Sequence, residues 1–180
     1  MAKSGDTPFD PTQAAFTVSE AARVSGNSEL DIRNWMRREV VPVGQKNRLG
    51  RIMFTALDIV RLKVIGDLSR LLKTEPSASG PLAEYVADHC ARWMQKSNHE
   101  LHLDENGHRL ETRLLLHFGE DGRTPSITPI AWGESVFAIK VSGRGEGMMW
   151  TRHPFLVLPV EQFFGDVLEE LFQILEGEND

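Results

Sequence analysis

Between Phe16 and Arg38 the sequence leaves room for two short helices, a tight turn and little else. Phe16-Thr-Val-Ser-Glu20 is a capping-box pattern: Thr17 stands at the N-cap, Glu20 at the third helical position, and Phe16 can staple onto Ala21. The helix it opens carries Ala21, Ala22 and Val24 and stops at Gly26, which can take the left-handed conformation that ends a helix. Ser28 can cap a second helix running to about Arg38. There Ile32, Trp35 and Met36 fall at i, i+3 and i+4, as a buried face requires. Leu30, Arg33, Asn34 and Arg37 make the opposite stripe. Two short helices joined by a Gly-Asn turn, the second with a basic outer stripe, describe a helix-turn-helix.

The residues that follow extend this unit. Val40–Val43 and Arg51–Phe54 are short β-like runs on either side of Gly44-Gln-Lys-Asn-Arg-Leu-Gly50. A hairpin with Lys46, Asn47 and Arg48 at its tip is expected to act as a wing that reaches phosphates or a groove. Thr55 then caps a third helix, Ala56 to about Lys73, whose apolar surface is wider than one helix pair needs. A second packing surface is expected for it. The candidate DNA-contacting residues are Ser28, Leu30, Arg33, Asn34, Arg37, Arg38, Lys46, Asn47, Arg48 and Arg51.

From Phe16 to about Leu72 the sequence resembles the DNA-binding domain of the MerR family of transcription regulators. The carriers are Phe16–Gly26, Ile32-Arg-Asn-Trp35, Val40-Val-Pro42, and Phe54-Thr-Ala-Leu-Asp58 with Arg61-Leu62 beyond. The resemblance implies that Arg33 and the basic wing residues hold the phosphate backbone while the second helix meets base edges. Asn34 stands where that family usually has an aromatic phosphate contact, Leu30 where a polar residue is common, and Ile52 where the wing often has Arg. Most MerR-like regulators dimerise through a long antiparallel coiled coil after the third helix; here Pro76 and Pro81 interrupt it, so another dimerisation surface is expected.

Charge divides the chain in the same place. The net charge is −6. Residues 1–73 hold 12 Lys/Arg against 8 Asp/Glu, whereas residues 74–180 hold 8 against 18. Between Arg33 and Arg51 six basic residues face a single acid, Glu39. Thr74-Glu-Pro-Ser-Ala-Ser-Gly-Pro81 combines Pro, Gly and small polar residues and reads as a linker. The expected organisation is a winged-helix domain at 12–73, a linker at 74–81 and an acidic α+β domain at 82–180. A basic patch on a recognisable motif points to double-stranded DNA, and the acidity of the second half points to protein rather than nucleic acid.

The second half reads as helix, antiparallel strands, helix. Pro81 opens a helix to about Lys96 with Leu82, Tyr85, Val86, His89, Cys90, Trp93 and Met94 along one side. Asn106-Gly107 marks a hairpin between Glu100–Asp104 and His108–Phe118. Phe137, Ile139 and Val141 alternate in a further strand, and Met148–Leu158 makes another. A last helix, about Val160 to Leu175, keeps an unbroken i, i+3, i+4, i+7 apolar rhythm. Its stripe is expected either to cover the sheet of its own domain or, through Phe163, Phe164, Val167, Leu168, Leu171 and Phe172, to form a dimer or partner interface.

No catalytic residue, metal site or cofactor is expected. His89 and Cys90 are adjacent and would point about 100° apart on a helix, and the paired cysteines of metal-sensing MerR-like proteins are missing. Gly143–Gly147 lacks the Lys-Ser/Thr of a phosphate loop, and Asp104–His108 holds only fragments of a calcium loop. One cysteine excludes an internal disulfide. With no apolar stretch of membrane-spanning length and no apolar core for a secretory signal, a cytoplasmic, nucleoid-associated protein is expected. The reading is therefore a non-enzymatic, sequence-specific transcription regulator, a homodimer whose acidic domain dimerises, receives a signal, or touches RNA polymerase or another protein. Two alternatives stand beside it: a phage DNA-binding adaptor resembling a terminase small subunit or excisionase, and a regulator whose Gly119–Met149 region lines a small-ligand pocket.

Overall fold

The computed structural model describes residues 10–40, 43–95, 113–118, 125–130 and 155–177. Helix α1 (Val18–Ser25) begins at the capping box: Glu20 N–H donates to Thr17 Oγ1 at 3.4 Å, and Thr17 N–H donates back to Glu20 Oε2 at 2.5 Å. It ends at Gly26, whose φ of 67° is the left-handed value a side chain would resist. Ser28 caps α2 (Glu29–Arg37) by accepting from Asp31 N–H at 3.0 Å. Of the three residues expected to be buried on α2 only Ile32 is; Trp35 and Met36 are half-buried and pack against the core from its edge.

The exit from α2 differs from the expected strand at Val40. Arg38 is the C-cap, and Glu39 takes φ 53°. Glu39 N–H bonds the Met36 carbonyl at 3.1 Å, and Val40 N–H bonds that of Trp35 at 3.0 Å. This is a Schellman closure with glutamate where glycine is usual. It spends the Val40 amide on the helix end, and the hairpin begins later. Strand β1 (Gln45–Lys46) pairs antiparallel with β2 (Ile52–Met53), Lys46 opposite Ile52. Phe16 and Phe54 bridge through two backbone bonds of 3.1 and 2.7 Å, tying the entry of α1 to the end of the hairpin.

Helix α3 (Ala56–Leu71) has its own capping box, Thr55 with Asp58. Its buried residues run round most of its circumference because it has neighbours on several sides: α1, α4 and α5 all pack on it. The expected second surface is thus formed by α4 and α5.

The eight-residue linker is corrected to a shorter connection. Helix α4 (Pro76–Gln95) starts at the first of the two prolines and passes through Pro81. Pro76 suits a first helical position, where no N–H is needed. Pro81 forfeits one helical bond and costs about 3 kcal/mol in an interior position, but its ring lies on the exposed side. On the other side Ser79, Leu82, Ala83, Val86, Ala87 and Cys90 are buried at helical spacing, and that burial carries the helix through. Tyr85, expected inside, is exposed, and His89 is half-buried; the buried face is turned toward Ala83 and Ala87.

The antiparallel partnership of α3 and α4 is clamped by Arg61, which donates to Glu84 through Nε at 2.7 Å and Nη2 at 3.0 Å and to Asp58 at 3.2 Å. Burial opposes the Arg61 charge, but Glu84, Asp58 and Asp88 outweigh it and raise its pKa.

Strand β3 (Arg113–Phe118) lies between β4 (Pro125–Ile130) and β5 (Phe155–Pro159), both antiparallel to it. β4 carries Pro125 and Pro129, tolerable because it pairs on one side only among the described strands. β5 leads directly into α5 (Val160–Gly177). Among the described residues α5 packs on α1, α3 and α4 and meets the sheet through the strand that feeds it. One continuous apolar cluster runs from Phe16 through α3 and α4 to Ile174. The architecture is α+β. The Asn106-Gly107 turn, the Phe137–Val141 strand and the Gly143–Gly147 loop lie outside the described residues.

Candidate nucleic-acid interface

Helix α2 owes its position to contacts that its sequence stripe does not advertise. Asn27, in the turn before it, donates from Nδ2 to the Leu62 carbonyl at 2.8 Å. Arg70 reaches back from α3 to the Gly26 carbonyl at 3.0 Å and Asn27 Oδ1 at 3.1 Å, while holding Asp67 at 2.6 Å. The turn is thereby fastened to α3, and Ile32 anchors α2 in the core. At its other end Met36 meets the root of the hairpin. A Cβ on Gly44 (φ 77°) would press on Ile52, Phe54 and Met36, so glycine lets that root close on α2.

On the outer side of α2, Leu30 is 68% exposed. Arg33 and Arg37 are exposed and Asn34 is half-buried. Arg33 pairs with Glu29 one turn earlier at 3.2 Å, with both side chains about half exposed. Arg37 donates to Asn34 Oδ1 at 2.8 Å, which leaves the Asn34 amide N–H groups and the other Arg37 donors available. Ser28 bonds its own helix end: besides capping, its hydroxyl donates to Asp31 at 2.6 Å. The Glu29–Arg33 pair went unread in the sequence, although its i, i+4 spacing was visible.

The hairpin tip is a small, self-held loop. Asn47 Oδ1 accepts from Leu49 N–H at 3.0 Å and Arg51 N–H at 2.9 Å, and the Asn47 backbone N–H donates to the Arg51 carbonyl at 2.8 Å. Gly50 N–H closes on the Asn47 carbonyl at 2.9 Å. Asn47 therefore shapes the tip, while Lys46, Arg48 and Arg51 project as exposed cations. Among the described residues, Arg38, Lys46, Arg48 and Arg51 have no ion-pair partner. Exposed guanidinium groups without carboxylates are the groups that take phosphate oxygens, often two at a time.

The α5 residues expected at an interface divide by burial. Phe163, Phe164, Val167 and Leu171 are buried inside the chain, and Leu168 and Phe172 are half-buried. Lys63 of α3 lies over the Phe163 ring at 5.9 Å. Among the described residues no three His, Cys, Asp or Glu side chains gather as a metal site, and no helix is long and apolar enough to cross a membrane.

A capped helix, a left-handed glycine turn and a second helix with an exposed Arg/Asn stripe, all locked to a third helix, form a helix-turn-helix DNA-binding domain. Residues 16–75 match the family model of the MerR HTH family regulatory proteins, so this third of the chain is similar to the helix-turn-helix domain of that family. The match ends one residue before α4. No curated protein matches the chain.

Proposed function

We propose that the protein is a sequence-specific DNA-binding transcription regulator. Helix α2 enters the major groove, and the β1–β2 hairpin is a wing whose Lys46, Arg48 and Arg51 hold the flanking backbone. The observation that carries this reading is the coincidence of the MerR match with exposed, largely unpaired cations on α2 and the hairpin. One such domain touches few base pairs, so the protein binds as a homodimer on two half-sites. The coiled coil usual in that family has no continuous helix to run on here, since α3 stops at Leu71 and α4 folds back along it. The two copies meet elsewhere, and the acidic second half receives the signal or contacts another protein.

Affinity for duplex DNA measured against salt tests the proposal. Contacts to about five phosphates give a log–log slope near −4 to −5. Replacing Arg33 and Arg37 together with alanine should lower affinity and make the slope shallower by about 2. A flat slope for the intact protein, or unchanged binding by the double variant, would sink the reading.

A further inference from the structure

Among the described residues four large apolar side chains are exposed: Leu30, Leu49, Leu71 and Tyr85. Leu30 alone of these stands on α2, in its first turn, with Arg33 and Asn34 three and four residues further on. On a helix those positions are its neighbours, so an apolar group sits at the N-terminal end of a stripe of hydrogen-bonding side chains. It makes neither the cap nor the anchor at that end: the cap is Ser28 with Asp31, and the buried residue is Ile32.

The charges around Leu30 say where this turn can stand. Two carboxylates, Glu29 and Asp31, occupy the first turn of α2. The positive end of a helix dipole would otherwise hold a phosphate there, but these carboxylates satisfy it and repel the DNA backbone. A first turn of that composition is disfavoured against either strand's phosphates and best placed over the base edges, midway between them. In the major groove the base edges offer hydrogen-bonding groups and one apolar group, the C5-methyl of thymine.

We infer that Leu30 is a specificity residue that reads a thymine C5-methyl group in the major groove, among the base edges that α2 meets. The inference rests on the DNA-binding reading above. It predicts a site preference that comes from apolar contact, with no hydrogen bond from residue 30.

Uracil in place of thymine removes that methyl group and nothing else from the groove, so it isolates the contact. The intact chain is used to select its binding sequence from random duplexes, and each thymine of the selected site is then replaced singly by uracil. At one thymine per half-site the replacement should weaken binding by about 3- to 10-fold, the scale of one methyl group withdrawn from water. Leu30→Ala should bind the thymine site more weakly by a similar factor and be indifferent to uracil at that position. Arg48→Ala, which changes only the wing, should weaken binding while keeping the full thymine preference. If no thymine responds to the exchange, or if Leu30→Ala responds as the native protein does, Leu30 does not read the methyl group and the inference fails alone. If no sequence is selected and binding is insensitive to salt, the inference falls together with the DNA-binding reading.

Discussion

The side chain of Asn27 occupies the space that a Cβ on Gly66 would fill. From that seat its Nδ2 donates to the Leu62 carbonyl at 2.8 Å, across 35 residues of sequence, and its Oδ1 accepts from Arg70 at 3.1 Å. A glycine in mid-helix costs about 1 kcal/mol against alanine. Here it admits the amide that holds the α1–α2 turn on α3, so the seating of α2 depends on α3.

Gly66→Ala should therefore destabilise the protein by about 1–3 kcal/mol, because the new methyl group evicts the amide and strands its partners. In an Asn27→Ala background the sign should reverse, with Gly66→Ala stabilising by up to about 1 kcal/mol through helix propensity alone. Urea denaturation of the four proteins measures the cycle. Equal loss in both backgrounds would show that the clash with Asn27 is not the cause.

Glu39 closes α2 with φ 53°, a conformation that glycine adopts without strain. Glu39→Gly should raise stability by about 1 kcal/mol. It also removes the one acid among the basic residues of 33–51, so binding to duplex DNA should tighten by a few-fold at low salt. Thermal melting and a titration at two salt concentrations check the two effects separately.

Helix α5 shares its core with α1 and α3, so its loss should be felt in the DNA-binding domain. Phe164 is 1% exposed. Phe164→Ala should cost about 3–5 kcal/mol, as expected for a truncated core phenylalanine. Amide exchange should report the loss in α3 as well as α5, because one apolar cluster joins them. Protection that falls in α5 alone would mean that the two halves unfold independently.

The hairpin tip should depend on the Asn47 oxygen and not on its amino group. Asn47→Ala removes the acceptor of the Leu49 and Arg51 amides, and both should exchange faster. Asn47→Asp keeps an acceptor in place and should restore their protection. Its added negative charge beside Lys46 and Arg48 should nevertheless weaken DNA binding, and more so at low salt. Exchange rates that do not separate the two variants would remove Asn47 from its role in shaping the tip.

Features settled within about four residues were legible in the local pattern. Thr17, Ser28 and Thr55 each cap the helix expected of them, and Gly26 ends α1, because a cap is a bond between a side chain and an amide two or three positions away. The basic stripe was legible for a similar reason: helical spacing alone puts Arg33 and Arg37 on one side of α2, opposite Ile32. Ser28 and Asn47, both expected among the DNA contacts, also bond the backbone beside them.

Tertiary structure alone decided what distant burial controls. Pro76 and Pro81 are local stop signals, yet α4 runs through them because Leu82, Val86 and Cys90 bury against remote partners. The apolar rhythm of α5 required a partner without naming it, and among the described residues α1, α3 and α4 supply one. Asn27 and Gly66 carry no local sign of their contact. An interior proline costs about 3 kcal/mol and each buried apolar side chain contributes about 1.5–3, so a helix face that buries several of them overrules the residue that would have ended it.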